Sequence, residues 1–176
     1  MTCIETSMKV LILGYSKCGK TTAGDIVASA LNQGAKSVST SDVLIGLLAA
    51  DLGVTSDEIR SDKDRLRGKL WSKGRELQEQ DPLSIVNHAV AMAMVGNDCV
   101  VTGVRNRDEI DALRANRTFD LIIWIDRCCC EAGPTDHIDP RDADIIISNS
   151  GTISELEQQL LTILVMRRGM DTWNFA

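Results

Sequence analysis

The segment Lys9-Val-Leu-Ile-Leu13 runs straight into Gly14-Tyr-Ser-Lys-Cys-Gly19-Lys20-Thr21, and this junction constrains the chain more than any other feature. A short continuous apolar run fits a strand buried on both faces. The residues that follow satisfy G-x-x-x-x-G-K-[ST], the phosphate-binding loop, and from Lys20 to Leu31 the residues Ile26, Val27, Ala30 and Leu31 recur at helical spacing. Strand, glycine-flanked loop and helix are the context that phosphate binding needs, because loop amides and a helix N-terminus then converge on one anion. Gly14, Ser16, Lys17, Cys18, Gly19, Lys20, Thr21 and Thr22 are therefore expected to cradle a nucleotide. Lys20 would reach the β- and γ-phosphates and Thr21 would hold Mg²⁺ through its hydroxyl, so ATP and Mg²⁺ are the expected cofactors. A chance match in an ordinary strand–turn–helix is the competing reading, and the flanking pattern argues against it.

The rest of the chain continues the alternation. Lys36 to Ser39 is a weaker strand, followed by a helix from about Asp42 that Gly53 ends. Ser56 to Gln80 reads as a charged, solvent-facing helix; Asp81-Pro82 breaks it before Leu83, Val86 and Val90 mark another. Gly96-Asn97-Asp98 is a turn. Cys99 to Thr102, Leu121 to Ile125 and Ile145 to Ile147 are three further buried-type strands, with a helix around Asp108 to Ala115 between the first two. Ser154-Glu-Leu-Glu157 has a capping-box pattern and announces a closing helix carrying Leu156, Leu160, Ile163 and Leu164 on one side. Strands alternating with helices imply a parallel sheet covered on both faces, a three-layer α/β/α fold. Residues 1–7 read as an appended tail and 8–176 as a single domain, since 176 residues fill one α/β core but not two.

Composition narrows the setting. With 44% apolar and 25% charged residues, neither disorder nor membrane insertion has support, and no membrane partner is expected. The start MTCIETSMKV has neither the basic head nor the apolar stretch of an export signal, so the expected location is cytoplasmic. Six cysteines contain no C-x-x-C pair and read as reduced thiols; Cys128, Cys129 and Cys130 are given no role, and Cys18 is a small loop residue or a redox switch. A net charge of −6 opposes nonspecific polyanion binding by the surface as a whole, although local patches can override it.

The choice among phosphate-loop proteins comes from elsewhere in the chain. A GTPase would show N-K-x-D, which is missing, and Cys99 to Thr102 runs into Gly103-Val-Arg105 and not into the acidic pair of a large ATPase. A small kinase is favoured. GYSKCGKTTAGDIVASAL, SVSTSD ending at Asp42, DKDRLRGKLWSKGRELQEQDP, VVTGVRNRDEIDALR, FDLIIWIDR and DADIIISNSGTISELEQQL together cover nearly the whole chain from Met8. In order and spacing they resemble the bacteriophage deoxynucleoside-monophosphate-kinase-like P-loop kinases, which include the phage 5-hydroxymethyluracil-DNA kinases.

The resemblance implies a P-loop NTPase fold of nucleotide-kinase type, with a five-stranded parallel sheet in the order 2-3-1-4-5. If the chain is phage-encoded, it implies the host cytoplasm as location. It puts Asp42 where related kinases place an acidic residue near acceptor and metal, able to orient or deprotonate a hydroxyl and to help hold Mg²⁺. An N-cap is the other reading of Asp42, and the two are compatible. Arg105, after strand 3, would contact phosphate, or else pair with Asp108 or Glu109. Arg127, after strand 4, would neutralise transferring charge, and Asn149, after strand 5, would contact adenine. Catalysis would thus fall to Lys20, Asp42, Arg105 and Arg127.

On the acceptor side, Lys63, Arg67 and Trp71 share one helical face and, with Arg75 and Asp42, could grip a phosphate and stack on a base. A solvated helix with Asp62, Asp64, Glu76 and Glu79 paired to the cations is the alternative. After Arg127, CCCEAGPTDHIDP supplies no arginine of the kind a nucleotide-kinase lid carries before Arg141. An open site of this kind suits the 5-hydroxymethyl group of 5-hydroxymethyluracil in phage DNA, on the way to hypermodified thymidine. Free deoxynucleoside monophosphates are the alternative acceptors, and a non-catalytic nucleotide-binding module is more remote. The expected partners are a nucleotide or hydroxymethylated DNA, and the reading leaves room for a homodimer. His88 is expected to be structural, and His137 lies in the loop.

Overall fold

The computed structural model describes residues 7–31, 35–96, 98–133 and 136–173, so the expected tail, apart from Ser7, lies outside the described residues. Strand β1 (Lys9–Leu13) leads through the loop to α1 (Lys20–Leu31) and then to β2 (Ser37–Ser39). Four helices follow before the chain re-enters the sheet, the first three being α2 (Thr40–Leu52), the short α3 (Ser56–Ser61) and α4 (Lys63–Gln80). Next come α5 (Ser84–Ala93), β3 (Cys99–Thr102), α6 (Arg107–Ala115), β4 (Leu121–Asp126), β5 (Ile145–Ser148) and α7 (Ile153–Trp173). All strand pairs are parallel and the order is β2-β3-β1-β4-β5, as the resemblance implied.

Alternation along the strands divides the core between two faces. Val10 and Ile12 of β1, with Ile123 and Ile125 of β4, pack under Val27 of α1 and Leu156, Leu160 and Leu164 of α7. Leu11 and Leu13, with Ile122 and Trp124, face Val86 and Ala89 of α5 and Ile110 and Leu113 of α6. A third cluster, Ile45, Leu48, Ile59, Leu66 and Leu70, holds α2, α3 and α4 together beyond the sheet. Every active group considered below sits at or beyond the carboxyl ends of these strands, where open α/β sheets bind ligands. Among the described residues no helix is long and apolar enough to cross a membrane.

Several local boundaries depart from the sequence reading, each for a capping reason. Helix α2 starts at Thr40 because the Ser39 side chain accepts the Ser41 N–H at 3.2 Å; Asp42 therefore sits inside the first turn and is not the N-cap. The charged stretch is two helices, since Thr55 and Glu58 close a capping box on α3 and Asp62, at φ −111° and ψ 24°, interrupts the helix before α4. The closing helix is capped by Thr152, whose Oγ1 accepts the Glu155 N–H while the Glu155 carboxylate accepts from Thr152 N–H. Ser154 and Glu157 are ordinary first-turn residues of that helix.

Glu109, in the first turn of α6, is 3% exposed and its Oε1 has no hydrogen-bond partner among the described residues. Burial pushes its carboxyl up to about 7, opposed by Gln78 of α4. A carboxyl held above its unfolded value of 4.5 keeps its proton in the native state alone, so stability falls as pH rises from 4.5 through about 7. Glu109→Gln should remove that slope and gain on the order of 3 kcal/mol over wild type between pH 4.5 and pH 8. Urea denaturation of both proteins across this range checks it, and parallel pH profiles would refute it.

Candidate active site

The phosphate loop is held from beneath at three points. Gly14 has φ +143°, and a Cβ there would come within 2.6 Å of both the Cys18 Sγ and the Ile125 carbonyl oxygen on β4. The Tyr15 ring meets Trp124 of β4 edge-on, 4.9 Å between centroids and 87° between planes, which anchors the loop's second residue on the core. Gly19, at φ +98°, lies against the side chain of Asn149, whose Nδ2 donates to the Cys18 carbonyl at 2.8 Å. A side chain at Gly14 or Gly19 would displace these contacts, so the glycines are what let the backbone close into a cradle. Ser16 and Lys17 are exposed on the rim, with Lys17 in the left-handed region at φ 63°.

Helix α1 then begins at Lys20 with no acidic residue in its first turn, leaving its positive end uncompensated. Thr21 and Thr22 are exposed there. Lys20 Nζ donates to the Tyr15 carbonyl, folding its ammonium back over the loop. Burial lowers its pKa; Cys18 and Asp136 oppose this and Arg105 reinforces it. Cys18 is 1% exposed and its thiol donates to the Tyr15 carbonyl at 2.9 Å, while burial raises its pKa, so the thiol is protonated and packed. These features fit a polyphosphate: converging amides, a helix N-terminus, an ammonium and a hydroxyl that can reach a metal. Among the described residues no group of three or more His, Cys, Asp or Glu is gathered for a protein-only metal site. Mg²⁺ of the kind expected here takes its ligands mainly from phosphate and water.

Arg105 stands beyond β3 and is paired with Asp136 at 3.2 Å, not with Asp108 or Glu109. Arg127 is exposed after β4. Asn149 ties down the loop through Cys18, and its own N–H donates to the Asp126 carbonyl at 2.6 Å. Those contacts make it a support for the cradle; they assign it no partner on the adenine side.

Asp42 and Lys63 are brought together at the start of α2. The Asp42 carboxylate accepts from Arg60 Nη2 at 3.1 Å, and Lys63 Nζ donates to Ser41 Oγ at 3.0 Å. Arg67, Trp71 and Arg75 lie further along α4. Arg67 pairs with Asp64 at 3.1 Å; Arg75 pairs with Glu79 at 3.0 Å and lies 5.5 Å from the ring centre of Trp71, which is 57% exposed. The solvated, acid-paired helix expected as an alternative is thus present for these arginines, and Trp71 carries its cation with it. His88 is exposed on α5, a ring nitrogen 2.8 Å from the Ser84 carbonyl, and His137 is exposed in the loop.

Sequence reasoning missed Tyr15, Arg60 and Asp136. Tyr15 occupies an unspecified position of the loop motif, and its contact with Trp124 joins residues far apart in the chain. Arg60 meets Asp42, and Asp136 meets Arg105, only through the tertiary fold.

A three-layer α/β/α sheet with this loop on its first strand defines a P-loop nucleotide-binding fold. No protein-family profile matches the chain and no curated protein matches its sequence. Among solved structures it is similar to the APS kinase of Mycobacterium tuberculosis, at TM-score 0.52 and 17% identity over 90% of this chain and 96% of that one. A sugar kinase from Janibacter sp. aligns at TM-score 0.49 and 18% identity over 90% of this chain and 94% of that one. The first of these supports the P-loop fold.

Because Asn149 satisfies a loop carbonyl, Asn149→Ala should cost about 1 kcal/mol of stability. It should weaken ATP binding severalfold through a looser cradle. Thermal melts with and without ATP check this; unchanged melting and affinity would show that the bond holds nothing.

Proposed function

We propose that the protein is an ATP-dependent phosphotransferase, a P-loop kinase acting on a deoxynucleotide-type acceptor. The observation that carries the reading is the cradle of Gly14 to Thr21 with two cations, Lys20 at the start of α1 and Arg105 beyond β3, whose charges act on each other. Bound ATP would supply the γ-phosphoryl group, and Mg²⁺, held with the help of Thr21, would supply charge that offsets that of the phosphates. The loop amides and α1 hold the phosphate chain, and Thr21 offers its hydroxyl to the metal. Lys20, partly stripped of water, leaves the Tyr15 carbonyl for the β- and γ-oxygens. Arg105 and Arg127 meet the charge that grows on the transferring group.

Asp42 faces the acceptor. Arg60 takes up one of its oxygens, leaving lone pairs to orient the attacking hydroxyl, accept its proton or hold a metal-bound water. Lys63, one turn of contact away at Ser41, adds positive charge for an acceptor phosphate. The favoured acceptor is the 5-hydroxymethyl group of 5-hydroxymethyluracil in DNA. Its support is the resemblance to the phage kinases together with the exposed Trp71–Arg75 stack, a platform for a base with a cation beside it. The pairing of Arg67 and Arg75 with acids favours the second reading, a kinase of free deoxynucleoside monophosphates, because neutralised arginines attract a DNA backbone less.

Incubation with radiolabelled ATP and either deoxynucleoside monophosphates or 5-hydroxymethyluracil DNA separates the two. Label in DNA alone is the expected result; label only in diphosphates would move the acceptor to the free nucleotide, and no transfer to either would end the kinase reading. Lys20→Ala should lower turnover by about a hundredfold or more with the fold intact. Asp42→Asn should cost about 10²–10⁴-fold if Asp42 is the base, and a wild-type rate would remove it from the chemistry.

A further inference from the structure

Nucleotide kinases of this fold are expected to close their site with a cationic lid, and the segment between β4 and β5 here is acidic instead. Asp136, Asp139 and Asp142 face the arginines of the β3–α6 junction: Arg105 lies 3.2 Å from Asp136, and Arg107 pairs with Asp142 and lies 3.5 Å from Asp139. The segment is itself fixed. Asp139 and Asp142 close a capping box on the turn at Pro140–Asp142, and Arg114 donates to the Asp142 carbonyl at 2.6 Å. An acidic strap laid over cations at the strand ends is the reverse of a lid that brings its own.

We propose that Asp136 is a positioning residue for Arg105, holding its guanidinium toward the phosphate loop, so that the strap recruits a cation from the sheet edge in place of supplying one. This rests on the kinase reading above and deepens it.

Three observations carry it. The Asp136 side chain is 2% exposed, and its Oδ2 accepts the Gly133 N–H at 3.0 Å, so the carboxylate cannot swing away. Its Oδ1 is buried beside Arg105 Nη1 without a well-aligned hydrogen bond, which leaves the anion to act on the guanidinium by charge and to tighten when Arg105 moves. The same strap grips the Arg105 backbone, since the His137 N–H donates to the Arg105 carbonyl at 3.0 Å. Arg105 is thus fixed at its main chain and at one edge of its fork, while its side chain stays 44% exposed with donors left for phosphate. Lys20 feels Arg105 and Asp136 with opposite sign, so both charges act on the lysine of the phosphate loop. A cation held in place loses less freedom when it binds the phosphates.

The test is a double-mutant cycle on nucleotide affinity, measured by calorimetry with ATP-Mg²⁺ on wild type, Asp136→Asn, Arg105→Ala and the double variant, with thermal melts alongside. Arg105→Ala should weaken ATP about tenfold, Asp136→Asn should give most of that loss, and the double variant should be no worse than Arg105→Ala. Asp136→Glu, which keeps the charge, should recover part of the affinity, and it stands in for the amide variant if that one melts below the assay temperature. Additive losses, or no loss in Asp136→Asn, would overturn the proposal. Tighter binding in Asp136→Asn would also overturn it, making the carboxylate a competitor of phosphate. Wild type that binds no nucleotide would overturn the kinase reading along with this one, whereas every other adverse outcome strikes the positioning role alone.

Discussion

The hydrogen bond from Asn149 to the Cys18 carbonyl joins residues 131 positions apart and ties the phosphate loop to the end of β5. It works with the two contacts from β4, the Ile125 carbonyl beneath Gly14 and Trp124 against Tyr15. A loop of backbone amides can grip an anion only if its carbonyls are turned away and satisfied elsewhere. Here Cys18 and Lys20 side chains satisfy the Tyr15 carbonyl, and Asn149 satisfies that of Cys18. The loop's shape therefore depends on the sheet having closed in the order that puts β4 and β5 beside β1. Folding and phosphate binding draw on the same contacts.

Charge at this edge follows from burial. Lys20 is stripped of part of its water, and a second cation, Arg105, stands near it; alone, both effects favour the neutral amine. Asp136 opposes them. The same logic organises the rest of the strap, where Arg107, Arg114 and Arg141 each meet an aspartate. The carboxyl of Asp139, its pKa held down to about 2 chiefly by Arg141, belongs to this network. A chain with net charge −6 can thus keep Arg105, Arg107 and Arg141 at this edge, because an aspartate meets each of them.

What was legible in the sequence and what was not divide along physical lines. Strands such as Leu121 to Ile125 were visible because burial on both faces demands an unbroken apolar run, and the loop because its glycines and lysine answer a local chemical need. The sheet order came from resemblance and agrees with the pairing of β1 with both β3 and β4. Helix starts slipped by two residues where several candidate caps lay together: Ser39, Ser41 and Asp42 at α2, Thr152 and Ser154 at α7. Propensity alone does not rank such neighbours, whereas the direction of chain entry does. Partners of Arg105 and Asp42 were misread or missed since a local search offers Asp108 and Glu109, while the fold offers Asp136 and Arg60.

On the acceptor side, the structure splits the basic segment in two. Arg60 and Lys63 reach the first turn of α2, and both bind side chains there. Trp71 and Arg75 face outward as an independent platform on α4. A free monophosphate needs only the first pair, because its base and phosphate are close together. A base carried on a polymer needs a place for the flanking strand as well, and a sequence-tolerant aromatic with a cation beside it provides one. Under the proposed reading, the exposed Trp71 would serve the longer substrate by stacking on a base.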